Sequence, residues 1–502
     1  MLLSLVVVVI ILYLLYDQLY AKRLPYPPGP TPVPVLGNLL QLDRNRPDKS
    51  LLKWSKIYGP VFTVWIPKPT VVVTDYEIIK DSLIKDGDSF AGRPAFFYQT
   101  DQYLMRYQCG IVFAQGPFWR EQRRFALHVF RDFGFGRNIM EGSIMSEVHR
   151  LMTYLESHLD SAATAVISPK DYLSVCVSSI ISCLVFGHPY EFGDQDFLSL
   201  KRLLEEIMEV NTTPKMLLLD TYHWLRFIPL FNNFGYKELL RNHQRFHTFF
   251  FKEIQAHKAN FDPNAEESTD YLDAFLRQLQ KRTEAGHDMG SFSEWQLFAA
   301  AVDLWVAGLE TTVTTLLWFI VFMLHHPEIQ TKVQSEIDHV LGEHPVTLSD
   351  QSRLPFVMAV INETQRLGNI FPFNLFHATV QQCRLGKFLI PARTQVLPQI
   401  ACVMSDPRYF PNPDVFDPER FLEDGGSRLK EVEQFVPFSL GKRQCLGKSL
   451  ARMELFLVFT TLLQNFRLTV PPGHSLPSLE AVGGLTAPPK PYQLQIVKRN
   501  NS

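Results

Sequence analysis

Cys445 stands in the segment FVPFSLGKRQCLGKSLARMELF, Phe435–Phe456. Gly441 and Gly447 flank it, and Lys442, Arg443 and Lys448 crowd it with positive charge. Leu450, Met453, Phe456 and Leu457 follow at helical spacing, so a helix is predicted to begin just after the thiol. A helix amino terminus and nearby cations both favour a thiolate. The two glycines allow a tight loop whose amides face sulfur and leave room for a flat ligand. Inert burial is the commoner fate of a cysteine. A nucleophilic cysteine would want a histidine base, and none lies nearby in sequence. A zinc site needs more ligands than this. A lone thiolate in an amide-rich loop fits the axial ligation of haem iron.

A second chemical candidate lies in SFSEWQLFAAAVDLWVAGLETTVTTLLWFIVFMLHH, Ser291–His326. The run is apolar nearly all round and predicts a buried helix, with Ser293 and Gln296 as a capping box. A second membrane span is the alternative, but Asp303 and Glu310 fall in its middle, and each charge would cost about 2.5–3.5 kcal/mol there. Ala307–Thr312, AGLETT, interrupts the apolar pattern. Gly308 weakens the helix by about 1 kcal/mol relative to alanine and lets a ligand or water near the backbone, unless it serves only packing. Glu310, Thr311 and Thr312 can hold water and pass protons.

The rest of the chain must position these two segments. With 502 residues, 46% hydrophobic and 20% charged, it has ample core, and a net charge of −2 excludes nucleic acid as the main partner. Six scattered cysteines without a CxxC pair read as reduced thiols, not a disulfide framework. MLLSLVVVVIILYLLYDQLY predicts a single transmembrane anchor over residues 1–21. Lys22 and Arg23 then hold the remainder on the cytosolic side, and a cleaved signal peptide is the weaker reading. Residues 22–34 form a proline-rich hinge, and 35–502 one catalytic body. Gly59–Asp75 reads as a β-hairpin, and PYQLQIV as a late strand. Residues 256–289 read as an exposed connector with one short amphipathic helix. The fold class is mainly α with small β-sheets, α+β.

Phe438-Ser-Leu-Gly441-Lys-Arg443-Gln-Cys445-Leu-Gly447 resembles, at every fixed position, the FxxGxRxCxG haem-binding signature of the cytochrome P-450 family. AGLETT resembles the family's distal-helix motif. ETQR (Glu363–Arg366) resembles its ExxR motif, FDPERF (Phe416–Phe421) its PERF motif, and WREQR (Trp119–Arg123) its WxxxR motif. FAGRP, FRDFGFG and DPRYFPNPDVFDPERF look like the animal microsomal family-two group, and the resemblance runs over essentially the whole chain. Two positions depart from the pattern: Phe376 replaces the proline common before His377, and Ala392-Arg393 replaces a lysine-glycine turn.

The resemblance implies the cytochrome P-450 fold, with haem b (iron protoporphyrin IX) between the proximal Cys loop and the long distal helix. It implies Cys445 as the iron's axial ligand, with Phe438 and Gly447 in the same haem-binding loop. Glu310 and Thr311 become the distal proton-delivery pair. Trp119, Arg123, His377 and Arg443 become propionate partners, and Glu363, Arg366 and Arg420 a structural ion cluster. The implied reaction inserts one atom of O2 into a lipophilic small molecule such as a fatty acid, steroid or xenobiotic. Electrons would come from NADPH through a flavoprotein reductase. A haem-thiolate isomerase or dehydratase and a non-enzymatic haem sensor are the alternatives, and the Glu310–Thr311 pair disfavours the former. Arg120, Arg124, His128 and Arg131 recur on one helix face, and with Lys442, Lys448 and Arg452 they would form a basic surface for the reductase's acidic face. Tyr222–Phe234 would dip into the endoplasmic reticulum membrane beside the substrate entrance. Pocket walls are placed at 95–113, 303–311, 370–375 and 484–486.

Overall fold

The computed structural model describes residues 20–43, 45–94, 109–134, 138–211, 213–229, 235–265, 267–286 and 288–499, with isolated positions 6, 9, 12, 13 and 16. The anchor therefore falls, apart from those positions and residues 20 and 21, outside the described residues, as do pocket-wall residues 95–108, part of FRDFGFG and the end of the Tyr222–Phe234 loop.

Its longer helices are α1 (Pro47–Tyr58), α2 (Gly116–Asp132), α3 (Asn138–Glu156), α4 (Pro169–Phe186), α5 (Gln195–Asn211), α6 (Tyr236–Ala259), α7 (Tyr271–Glu284), α8 (Glu294–His325), α9 (Pro327–Leu341), α10 (Pro355–Gly368) and α11 (Lys448–Asn465). The hairpin pairs β1 (Val61–Ile66) with β2 (Lys68–Val73), Val61 opposite Val73. This hairpin extends to β7 (Gln395–Pro398) and β4 (His377–Ala378), in the order β1-β2-β7-β4, with β2 and β7 parallel. A short hairpin joins β5 (Cys383–Leu385) to β6 (Phe388–Ile390). The late strand β9 (Leu494–Lys498) lies between β8 (Phe466–Thr469) and β3 (Thr164–Ile167).

The core is helical. Helix α8 is its axis, and Trp305, Leu309, Val313 and residues 316–324 are all buried. Helices α4 and α8 are both long and apolar enough to cross a membrane, yet each is enclosed by other helices. Their apolarity is that of a core. Ser293 caps α8 by accepting from the Gln296 amide. The reciprocal half of the capping box is absent. The Gln296 side chain instead accepts from Gly110 N at 2.9 Å and donates to Gly110 O at 3.1 Å. Helix α7 is no exposed connector either. Tyr271, Leu272, Phe275 and Leu276 are buried, and the Asp270 side chain caps the helix.

The proline-rich stretch lies along β1. Pro27, Gly29, Pro30 and Pro32 are buried. A Cβ on Gly29 would fall 1.9 Å from the Thr63 carbonyl oxygen, so only glycine permits this approach.

Two histidine–carboxylate bridges clamp α4, α6 and α7. His188 Nε2 meets Glu253 Oε2 at 2.9 Å, and His257 Nε2 meets Asp270 Oδ2 at 2.8 Å. Burial pushes His257 down, but the Asp270 hydrogen bond and charge outweigh it and raise the pKa. The Glu253 hydrogen bond raises His188. The folded state thus favours both protonated forms. Their stabilisation is complete below the unfolded value of about 6.5 and disappears as pH rises through the folded values. His257→Gln should therefore lower the melting temperature more at about pH 6 than at alkaline pH, the deficit shrinking as pH rises. Equal losses at both pH values would refute this linkage.

Candidate functional site

The loop before α11 is shaped by one strict requirement. Gly441 has φ of 72°, and a Cβ there would lie 1.9 Å from the Leu83 carbonyl oxygen. Cys445 N donates to Phe438 O at 3.0 Å, closing the loop. Arg452 lies over the Phe438 ring at 5.8 Å. Helix α11 starts three residues after Cys445, with Gly447 as its cap. Gly447 has an ordinary negative φ, and a Cβ added to it would meet nothing within 4 Å. The fold does not demand glycine there, and the open space suits a flat ligand.

Burial pushes the Cys445 thiol up, while the Gly447 N–H, Arg123 and Lys448 pull it down. Cys445 is nonetheless exposed on the open side of its loop, where a coordinated metal ion would deprotonate a ligating thiol outright.

Above this loop several cations converge, with no carboxylate among the described residues there. Arg443 donates through Nε to Ala91 O at 2.8 Å and through Nη2 to Ala114 O at 2.7 Å, but its Nη1 has no partner. Trp119 Nε1 is likewise buried and unpartnered, and the Arg443 guanidinium lies 3.7 Å from the Trp119 ring centroid. Arg123 Nη2 donates to Gln444 O at 2.5 Å. Burial, then Arg93 and Arg123, pull Arg443 down to about 8. His377 Nδ1 bonds Phe90 O at 2.8 Å, and burial with Arg93 drives its pKa to about 3. The neutral ring thus spends its single N–H on Phe90 O and leaves Nε2 a bare acceptor, so His377 would donate to a propionate only as the protonated ring, the form a bound carboxylate favours. Arg93, missed in the sequence, spans the site, donating to Val112 O at 3.0 Å and Phe376 O at 2.7 Å. FAGRP carries no chemical signal of its own; only the fold brings Arg93 to Arg443.

Two buried guanidinium groups, Arg93 and Arg443, with the half-buried Arg123 and orphaned donors on Arg443 and Trp119, call for an anion of more than one charge. Haem supplies two propionates. The residues present fit it: a thiol below, an open glycine beside, and carboxylate-seeking donors at the rim.

The other wall is α8, where successive residues face different neighbours. Ala307 is exposed, and Thr311 Oγ1 donates to Ala307 O at 2.7 Å. Glu310 is raised by burial and then by Glu205, against Lys170 and Lys201. It therefore faces α4 and α5, where Lys170 meets Glu205 at 2.8 Å and Lys201 meets Asp171 at 3.2 Å. Thr312 is buried on another side and donates to Glu454 Oε2 at 3.1 Å. Gly308 serves packing. A Cβ on it would sit 3.0 Å from Ile181 Cδ1 and Cγ1, so its bare face admits α4, not a ligand. Gly308→Ala should gain about 1 kcal/mol of helix propensity but lose about 1–3 kcal/mol to overpacking. We expect a lower melting temperature, and a smaller loss on making the same change in an Ile181→Val background, which lacks the crowding Cδ1. A Gly308→Ala protein more stable than the parent would contradict this packing.

Glu363, Arg366 and Arg420 meet as one cluster. Glu363 and Arg366 have no exposed side-chain surface and pair through two bonds of 2.7 Å. Arg420 Nε adds a third at 3.2 Å. Arg366 also donates to Met404 O, Pro413 O and Val415 O. The cluster thus ties α10 to the meander that leads into the Cys445 loop.

On the outer face of α2, Arg120 pairs with Asp88 at 2.8 Å, and Lys442 with the same carboxylate at 2.5 Å. His128 and Arg131 lie beside Asp132. That leaves Arg124, Lys448 and Arg452 as the positive charge around the thiol without a described ion pair.

The family model described as Cytochrome P450 matches residues 27–496. Cytochrome P450 2C28 of Mesocricetus auratus is 36% identical over 482 residues, covering 94% of each chain. Cytochrome P450 2C5 of Oryctolagus cuniculus is 36% identical over 482 residues, covering 93% of each. Cytochrome P450 2G1 of the same organism is 36% identical over 480 residues, covering 94% of this chain and 93% of its own.

Proposed function

The chain belongs to the cytochrome P450 family, and from that membership we propose that it oxidises a lipophilic small molecule at the cytosolic face of the endoplasmic reticulum, with electrons from an NADPH-dependent flavoprotein reductase. The family's members are haem-thiolate monooxygenases, so haem b is the cofactor and monooxygenation the reaction. One observation carries the assignment of site residues: the orphaned donors of Trp119 and Arg443 converge above the only thiol whose loop leaves open space for a flat ligand, among the described residues.

When bound, haem supplies the redox-active iron that activates dioxygen. Cys445 holds that iron, and Trp119, Arg123, His377 and Arg443 hold the propionates, joined by Arg93. Phe438 closes the loop that presents the thiol. On the distal side Thr311 keeps a hydroxyl at the cavity wall. Glu310, its carboxyl held up by burial and Glu205, retains a proton more readily than an exposed acid. The partly exposed Lys170–Glu205 pair lies on the side that Glu310 faces. These groups pass protons inward while the apolar remainder of α8 excludes bulk water.

Residues 1–21 anchor the protein as a single-pass helix, and 22–34 seat the catalytic body of 35–502 against it. Trp224 and Phe227, 60% and 71% exposed, support contact of the Tyr222–Phe234 region with the same membrane. Tyr222 Oη donates to Val35 O at 3.1 Å, joining that region to the end of the hinge.

A carbon-monoxide spectrum of the reduced protein tests the thiolate. NADPH consumption with reductase, with and without candidate lipids, separates monooxygenase from isomerase, dehydratase or sensor. Product-free turnover across a broad lipid and xenobiotic panel would count against the reading. Because Arg120 and Lys442 share Asp88, whereas Arg124 and Lys448 have no described ion pair, we place docking first on Arg124 and Lys448. Reversing both to glutamate should slow reductase-driven turnover by about tenfold or more at low salt, with a shrinking deficit as salt rises. Unchanged turnover at every salt concentration would eliminate docking at this face.

A further inference from the structure

Glu454 is an acid where none is needed for packing. It lies on α11, nine positions past Cys445, and is 2% exposed. Leu455, Phe456, Leu457 and Val458 beside it are all buried and apolar. Among the described residues no cation faces it. Burial alone pushes its carboxyl up to about 8, and only the Thr312 hydroxyl opposes that. Burial thus favours its protonated, uncharged form, and its described polar partner is Thr312.

Thr312 belongs to the turn of α8 that carries Glu310 and Thr311. In this turn hydroxyls already bond backbone: Thr311 Oγ1 to Ala307 O at 2.7 Å, and Thr315 Oγ1 to Thr311 O at 2.8 Å. Such back-bonding weakens and bends helices. Packing holds most of α8, and at this turn a polar bond to a neighbouring helix adds a directional restraint that apolar contacts do not. The Thr312–Glu454 bond, 3.1 Å and fully buried, is such a restraint, a tie to the helix that begins at the thiol loop. It therefore spans the two walls between which the flat cofactor must fit. A buried hydrogen bond of this kind is strong because no water competes for it.

We propose that Glu454 is a positioning residue for oxygen activation: through Thr312 it holds the Ala307–Thr312 turn at a set place relative to the Cys445 helix. The proposal rests on assigning proton delivery to Glu310 and Thr311. The tie needs a buried, uncharged acceptor, which glutamine also provides and leucine does not.

Amide hydrogen exchange of the holoprotein, read over residues 307–315, tests the tie without reference to turnover. In Glu454→Leu and Thr312→Val, exchange there should accelerate by about tenfold, the factor expected for one lost buried hydrogen bond. In Glu454→Gln it should match the parent. Product formed per NADPH consumed should fall in the first two variants and be preserved in the third, with the haem spectrum unaltered in all. Unchanged exchange in Thr312→Val would overturn the proposal. So would a Glu454→Gln protein behaving like Glu454→Leu, because the acid's own proton would then be what matters. If instead Glu310→Gln and Thr311→Ala keep full coupling while exchange still responds to Thr312→Val, the proton-delivery reading fails and the tie stands.

Discussion

A Cys445→Ser protein should fold, keep its loop, and lose monooxygenase turnover by about a thousandfold or more, equivalent to some 4 kcal/mol of transition-state stabilisation. The loop is closed by backbone atoms, Cys445 N to Phe438 O, and by the glycine-only approach of Gly441 to Leu83. Neither involves sulfur. The propionate donors at Trp119, Arg123 and Arg443 are also untouched, so haem should still be retained in part. What disappears is the thiolate's donation of electron density to iron, which no hydroxyl replaces. The measurement is a carbon-monoxide spectrum of the reduced variant beside its turnover with reductase. A thiolate-type spectrum surviving the substitution would mean another of the six cysteines is the ligand. Cys176 and Cys402 are poor substitutes, because both are buried, whereas Cys445 is exposed beside the cationic rim.

Arg366→Met should have the largest effect on stability. It removes a guanidinium that satisfies Glu363 twice and three backbone carbonyls besides. Glu363 would keep only Arg420 Nε and the Asp417 amide. Stranding a buried charge this way costs about 3–5 kcal/mol, against a total stability of about 5–15 kcal/mol for typical proteins. We expect a sharply lower melting temperature and little haem incorporated. Arg366→Lys should rescue little, since an ammonium cannot reproduce the two-pronged pairing or reach all three carbonyls. A variant with the parent's melting temperature would show the cluster to be dispensable.

The elements whose identity depends on neighbours along the chain were legible beforehand. The β1–β2 hairpin, the buried α8 with its Ser293 cap, and the glycine-flanked thiol loop all follow from periodicity and turn residues. Gln296 shows the limit. Its spacing from Ser293 satisfies a capping box, yet its amide is drawn to Gly110, 186 positions earlier in the chain, because both backbone groups of that glycine are buried beside it. Gly308 shows the same limit from the other side. Its neighbours in sequence point to a ligand, whereas its neighbour in space is Ile181. Arg120 and Lys442 read as free cations until Asp88 is found between them.

By itself the sequence determined the chemistry available: a thiol in a basic, glycine-bounded loop, and an acid with two hydroxyls interrupting an apolar helix. Local spacing encodes such facts because loops and helices close over a few residues. Only the tertiary structure decided which way each group faces. It turned the Thr311 hydroxyl back to Ala307 O, Glu310 toward Glu205 and Lys170, and Thr312 to Glu454. It also gathered Arg93, Arg123 and Arg443 around two unsatisfied donors. Direction and convergence arise from packing between distant segments, where burial sets the cost of every unpaired polar atom.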